Sequence, residues 1–302
     1  MTIIDLKKLS LEFSNNIKLN YDLKNKNWFN IGGKTKIYYK ADNLKELIKF
    51  LKKIHREEKI FVLGGGSNTL ISDETYDGVV IKLSKNFNNI SKLSEKVIIA
   101  GSAVSDNALS QFAMENNIGG FEFLSCIPGT IGGGIKMNAG CFEKEFKDIL
   151  ISIQALNKSG QVLTIPAKDI NFKYRDSGLS EDLIFLSASF KGFKKSKDHI
   201  KSEIKLLKEK KEKAQPTRIK TSGSTFKNPI DQSDQKVWQL IKESVPLEKS
   251  FGEASISEKH CNFFVNKGNA KFKDMKKLIE FVSENVFKKT GVRLEKEIKI
   301  LE

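Results

Sequence analysis

The chain has 302 residues with 52 Lys and Arg against 37 Asp and Glu, a formal charge of +15. That length suits two or three modules rather than one simple core, and lysine is scattered instead of interleaved with aromatics in one tract, so the basic charge does not read as a nucleic-acid interface. No run approaches the roughly 20 apolar residues that span a bilayer and the amino terminus has no apolar signal core, so a cytoplasmic protein with neither nucleic-acid nor membrane partner is expected.

In chain order, Asn43 to Glu57 carries Leu44, Leu47, Ile48, Leu51 and Ile54 at helical spacing, with Asn43 and Glu46 placed for a capping box. A strand at Ile60 to Leu63 ends on Gly64-Gly65-Gly66-Ser67-Asn68, and a second strand at Val79 to Leu83 closes an α/β unit. A module boundary follows it, giving segments 1–83 and 84–200. Val97 to Ala100 reads as a strand and Ser105 to Asn117 as a helix that Gly119-Gly120 stops. Alternating runs at Ile149 to Leu156, Val162 to Ile165 and Leu183 to Phe190 read as strands. Lys201 to Lys213 is a charged connector helix ending before Pro216, and opens a third module, 201–302. That module holds a helix with Trp238, Leu240 and Ile241 capped by Ser233 or Asp234, a helix from Lys273 to Lys289 before Gly291, and strands at Phe263 to Val265 and Ile298 to Leu301. The fold class is α+β.

Chemistry concentrates in glycine. Ile127 to Gly140 holds five glycines in fourteen residues, among them Gly129, Gly132, Gly133 and Gly140 beside Pro128, Thr130 and Asn138. Such a run strips side chains from a backbone that a flat ring or a phosphate can approach, and Gly64 to Asn68 after a strand offers main-chain N–H groups to an anion. A Rossmann fingerprint from Gly64 would need glycine at Thr69, and a P-loop from Gly129 would need lysine at Ile135, so neither pattern applies. Turn chemistry favours Asn68 and Asn138 as residues that fix their own loops. The cysteines Cys126, Cys141 and Cys261 are odd in number and lack metal-ligand spacing, so they read as small buried hydrophobes, and no metal site is expected. His55 and His199 read as surface residues.

Further clusters stand in a fixed order: Asn27 to Gly33, Tyr174-Arg175-Asp176-Ser177, Gly223-Ser224-Thr225-Phe226-Lys227-Asn228-Pro229, Ser257 to Phe263, and Gly291 to Ile298. With the two glycine runs they resemble the UDP-N-acetylenolpyruvoylglucosamine reductase family, shorter type, over nearly the whole chain. The resemblance implies a vanillyl-alcohol-oxidase (PCMH) type pair of modules that binds FAD non-covalently through Gly64, Gly65, Gly66, Ser67, Asn68, Pro128, Gly129, Thr130, Gly132, Gly133, Asn138 and Gly140. It also implies a carboxyl-terminal substrate-binding module, NADPH as hydride donor, and reduction of an enolpyruvyl nucleotide sugar by a monomer. Arg175, Ser224 and Glu297 match the family's catalytic positions. Arg175 offers a fork for a carboxylate, Ser224 the proton to carbon, and Glu297 a hydrogen bond to the enolate, its pKa raised if Glu295 shares its strand face. Tyr174, Lys227, Asn228 and His260 are the candidate substrate contacts. Cys126 stands where the family usually has glycine, and Asn30 where it often has arginine.

Overall fold

The computed structural model describes residues 3–54, 57–217 and 219–302, so His55 lies outside the described residues. The chain divides into two compact units. The first comprises residues through Asn20, Lys36–Gly65 and Asp77–Lys211, and the second Tyr21–Thr35, Gly66–Tyr76 and Glu212–Glu302. The amino-terminal segment is therefore shared: its residues 21–35 and 66–76 pack with the carboxyl-terminal unit, and no composition shift marks those crossings.

The first unit is built on two sheets. One runs Ile17–Asp22, Lys34–Ala41, Tyr76–Leu83, Ile60–Val62, the last pair parallel. Its core gathers Leu9 and Phe13 from α1 (Ile3–Glu12) and the turn after it, Leu47 and Phe50 from α2 (Leu44–Lys53), and Ile37, Tyr39, Val79 and Ile81 from the strands. Tyr39 stacks on Phe50 at 3.8 Å between ring centroids and Phe13 meets both rings edge-on. The Asn43 side chain caps α2 by accepting from Glu46 N–H at 2.9 Å, and the helix closes at Lys53, short of Glu57.

The second sheet is antiparallel throughout, in the order Val162–Pro166, Leu150–Leu156, Ile184–Lys191, Val97–Gly101, Ile90–Lys92. Its core is separate, formed by Ile98, Leu109, Phe121, Ile131, Ile135, Phe146, Ile153 and Phe190 among others, while Leu156, Ile184 and Leu186 reach into the first core. Helix α3 (Asp106–Glu115) starts where Ser105 Oγ accepts from Ala108 N–H at 3.1 Å. It ends at Asn116, with Asn117 in the left-handed region at φ 56°, so asparagine stops it before Gly119 pairs with Phe193 in a short ladder. Asparagine tolerates that region better than most side chains, a signal the nearby glycines obscured.

One side chain on α3 sits poorly with its surroundings. Asp106 is fully buried, neither carboxylate oxygen has a hydrogen-bond partner, and desolvation pushes its pKa well above the ordinary value. An acid whose folded pKa exceeds the unfolded value, about 3.9, loses stability as pH climbs from that value towards the raised one. Asp106→Asn should therefore raise the thermal midpoint at about pH 8 and change it far less at about pH 4. Equal midpoints for variant and parent at both pH values would mean the carboxyl carries no such burden.

The second unit packs α6 (Val237–Ser244) and α7 (Phe272–Thr290), which follow the connector α5 (Lys197–Ala214), on a three-stranded antiparallel sheet of Ser250–Phe251, Ala254–Ile256 and Phe264–Asn266. Thr69–Ile71 pairs in parallel with Lys299–Leu301. Phe29, Leu70, Phe226, Leu240, Phe264, Met275, Leu278 and Val282 form its core. The cap of α6 is Lys236, whose N–H donates to Gln239 Oε1 at 2.8 Å, three residues beyond Ser233. Gly291, at φ 74°, ends α7 as the sequence indicates.

Candidate active site

The glycine run folds as a turn followed by a short helix. Thr130 precedes α4 (Ile131–Lys136), so a helical coil occupies the middle of the expected turn, its apolar Ile131 and Ile135 buried. Its glycines do different work. A Cβ at Gly134 would lie 2.3 Å from Phe146 Cε2, so that glycine exists for packing. A Cβ at Gly133 would meet only Thr130 Oγ1, at 3.7 Å, leaving open space of the kind a flat ligand can occupy. The other glycine turn arrives at the same place: a Cβ on Gly64 would stand 2.8 Å from Thr130 Oγ1. Gly64 and the run at 130–133, far apart in sequence, thus present bare backbone together in the first unit, a cradle that fits a flavin. Gly66 differs: it has φ 68° and a Cβ there would fall 2.2 Å from Lys26 O in the second unit, so it is held by close approach of main chain.

These contacts separate flavin effects from folding effects. Gly133→Val should lower flavin retention with the unfolding midpoint of the flavin-free protein within roughly 2–4 °C of the parent, about the shift of 1 kcal/mol. Gly134→Ala should instead destabilise by about 1–3 kcal/mol, because the Phe146 ring must move. Flavin absorbance after desalting, beside thermal melts, checks both; full flavin content in Gly133→Val would show that the space has another use.

Asn138 is completely buried and spends its side chain on its own loop. Its Nδ2 donates to Glu145 Oε2 at 3.0 Å and Lys173 O at 3.1 Å, and its Oδ1 accepts from Lys147 N–H at 3.1 Å. Asn68 likewise donates to Glu297 O at 3.0 Å within the second unit. Both asparagines thus fix main chain.

Tyr174 and Arg175 occupy the tip of a tight turn closed by Lys173 N–H to Asp176 O at 2.8 Å and Asp176 N–H to Lys173 O at 3.2 Å. Arg175 takes φ 58°, a place usually filled by glycine or asparagine and costing other residues on the order of 1–3 kcal/mol. Its side chain, 18% exposed, is held by Gly140 O at 3.1 Å, Glu145 Oε1 at 3.5 Å and the Tyr174 ring at 4.8 Å from its centroid. Arginine thus sits in a conformation usually left to glycine, its guanidinium held by Gly140, Glu145 and Tyr174. Glu145, which also binds Asn138 and Lys147, is the organising residue that sequence reasoning missed; a glutamate thirty residues from its arginine gives no local signal.

In the second unit, the segments around Ser224 and Glu297 run side by side. Thr225 O accepts from Glu297 N–H at 2.8 Å, Phe226 bridges Lys296, and Lys227 N–H donates to Glu295 O at 2.8 Å. Buried Asn262 clamps Phe226 from behind through both its N–H and its carbonyl, at 3.0 and 2.9 Å. Glu295, its side chain 72% exposed, binds Lys227 Nζ at 2.6 Å. The charge at 295 is thereby compensated and open to solvent, which weakens its action on a neighbouring acid. Ser224 and Glu297 are half-buried, as is Lys227. Asn228 Oδ1 accepts from Val237 N–H at 3.1 Å at the start of α6. His260 Nδ1 accepts from Asn262 N–H at 3.3 Å, its ring lies edge-on to Phe263, and burial lowers its pKa. His199 is exposed. Among the described residues no group of three or more His, Cys, Asp or Glu is placed to hold a metal, and no helix is long and apolar enough to cross a membrane.

Residues 35–166 match the family profile of an FAD binding domain, which with the cradle defines a flavoprotein. Residues 215–301 match the profile of the UDP-N-acetylenolpyruvoylglucosamine reductase C-terminal domain. The UDP-N-acetylenolpyruvoylglucosamine reductase of Pelagibacter ubique (strain HTCC1062) is 68% identical over 301 residues, covering 100% of both chains. The enzyme of that name from Rickettsia typhi is 43% identical, covering 93% of this chain and 94% of its own. Among solved structures, UDP-N-acetylenolpyruvylglucosamine reductase (MurB) from Thermus caldophilus superposes with a TM-score of 0.81 at 29% identity, covering 95% of this chain and 98% of that one. The chain belongs to the UDP-N-acetylenolpyruvoylglucosamine reductase family.

Proposed function

We infer that this chain is an NADPH-dependent flavoenzyme that reduces the enolpyruvyl group of UDP-N-acetylglucosamine enolpyruvate, giving UDP-N-acetylmuramate for peptidoglycan precursor synthesis. The observation that carries the reading is the bond from Glu297 N–H to the carbonyl of Thr225, the residue after Ser224, in a unit matching the reductase's own C-terminal domain, within a chain that also has a flavin cradle. Bound flavin would rest on Gly64, Gly65 and the Pro128–Gly140 run and supply hydride transfer between NADPH and the substrate.

The remaining chemistry falls to side chains. As the terminal carbon of the enolpyruvyl group accepts hydride, negative charge develops on the adjacent carbon and into the substrate carboxylate. Arg175, preorganised by Gly140 O and Glu145, offers its guanidinium to that carboxylate with little reorganisation left to do. Ser224 delivers the proton to carbon, and Glu297 hydrogen-bonds the developing enolate. Tyr174 and Lys227 contact the nucleotide sugar, while Asn228 and His260 act through the loops they fix. We place segments 1–83 and 84–200 as the flavin-binding modules, with 201–302 receiving substrate, in a monomer acting in the cytoplasm without nucleic acid. The test is anaerobic: NADPH should bleach the flavin absorbance of the purified protein, and UDP-N-acetylglucosamine enolpyruvate should restore it. Bleached protein that the enolpyruvyl nucleotide leaves unchanged would refute the substrate assignment.

A further inference from the structure

Two of the groups that hold Arg175 come from one cross-strand pair. Gly140–Cys141 and Lys144–Glu145 form a short antiparallel ladder in which Glu145 stands opposite Gly140. Its tip is closed by Phe142 and Glu143, both in the left-handed region at φ 52° and 64°. The Gly140 carbonyl accepts from Arg175 Nη2 at 3.1 Å, and Glu145 Oε1 lies 3.5 Å from Arg175 Nη1. A Cβ at Gly140 would stand 2.7 Å from Glu145 Cγ, so the missing side chain lets the glutamate lie across the ladder toward the guanidinium. The other carboxylate oxygen is anchored: Oε2 accepts from Asn138 Nδ2 at 3.0 Å and pairs with Lys147 Nζ at 2.8 Å. Glu145 N–H in turn donates to Asp148 Oδ2 at 2.8 Å, which fixes the main chain that carries it.

One oxygen of Glu145 is thus fixed and the other faces the cation, which gives the residue two opposed effects on an incoming carboxylate. It sets where the guanidinium stands, and a misplacement of about 1 Å near a reacting group can cost about 10²-fold in rate. It also compensates the cation before substrate arrives, and a like charge beside the site weakens the hold on a second carboxylate. We propose that Glu145 is both a positioning residue for the reduction and the resident counter-ion of Arg175, raising the rate by fixing the guanidinium while loosening ground-state binding of the substrate carboxylate. The proposal rests on the reductase reading, in which Arg175 meets that carboxylate. A grip on substrate that is equally strong before and during reaction lowers KM without raising kcat, so loosening it does not slow a saturated enzyme. Removing the charge while keeping the shape should therefore move kcat and KM downward together. A glutamate that only held the hairpin together would, when lost, leave KM unchanged or raise it.

The test is a double-mutant cycle on the full-length, flavin-loaded protein, with NADPH and UDP-N-acetylglucosamine enolpyruvate as the probes. Glu145→Gln should keep parental flavin content and parental bleaching by NADPH, and lower kcat by about 10–10²-fold. Its KM for the enolpyruvyl nucleotide should fall by about 2–5-fold, the scale of one partly exposed ion pair. Glu145→Asp keeps the charge but is one methylene short of the guanidinium, so its kcat should fall while its KM stays near the parental value. In an Arg175→Ala background, Glu145→Gln should change kcat hardly at all, because the glutamate acts through the arginine. Parental kcat or a raised KM in Glu145→Gln, additive losses in the double variant, or flavin lost from both Glu145→Gln and Glu145→Asp would overturn the proposal. A parent whose bleached flavin the enolpyruvyl nucleotide leaves unchanged sinks the reductase reading and the proposal with it. A parent that turns over beside an unaffected Glu145→Gln sinks the proposal alone.

Discussion

Ser224→Ala should lower turnover by about 10²–10⁴-fold, the range a positioned general acid supplies. The effect belongs to one step. Ser224 sits in a strand-like segment fixed by main-chain bonds from Thr225 to Asn262 O at 2.8 Å and from Glu297 to Thr225 O at 2.8 Å, none of which uses its hydroxyl. Removing the hydroxyl should therefore leave the segment, the flavin content and the affinity for the enolpyruvyl nucleotide nearly unchanged. An unassisted hydroxyl is a weak acid, so a group nearby must raise its acidity; Lys227 is already committed to Glu295 at 2.6 Å, which makes an ordered water the better helper. Ser224→Cys should recover some of the rate, since a thiol of pKa about 8.5 is a stronger acid of similar shape. Steady-state turnover, with deuterium incorporation from solvent at the new stereocentre, reads the step directly. Near-parental turnover and unchanged stereochemistry in Ser224→Ala would make the serine a turn residue only.

Glu297→Gln should cost about 10²–10³-fold, the loss that accompanies removal of one donor to a developing oxyanion. The substitution keeps the size of the side chain and the main-chain ladder, but an amide is a far weaker acid than a carboxyl and cannot share its proton. Arg175→Ala should act in the same direction. It also frees Glu145, 17% exposed and still bound to Lys147 and Asn138, so some loosening of the 138–147 loop is expected. In both variants the bleaching of flavin absorbance by NADPH should be spared far more than its return on adding substrate, because enolate charge develops only in the second phase. Stopped-flow traces slowed equally in the two phases would argue that these residues hold the structure rather than the charge.

The local signals were legible wherever a short stretch contained its own cause. Asn43 with Glu46, Ser105 before an apolar run, and Gly291 after α7 each bring the groups that start or stop a helix, so their ends could be read directly. The ordered motifs were legible too, because Tyr174-Arg175 and Ser224 to Pro229 are runs whose chemistry depends on residue type. Tertiary structure decided what depended on distant partners. Lys236, not Ser233, caps α6 because packing of Val237, Leu240 and Ile241 sets where the helix can begin. Glu295 holds Lys227, on the neighbouring segment, at 2.6 Å, an ion pair that residue spacing does not encode. Glu145 beside Arg175 and Gly64 against Thr130 are pairs made by chain crossings that no periodicity encodes. Sequence alone therefore determined which residue types could perform the reduction and most of the elements that carry them. Which side chains are preorganised and which are spent on holding a loop was decided only by folding, since burial and hydrogen-bond competition are properties of the packed chain.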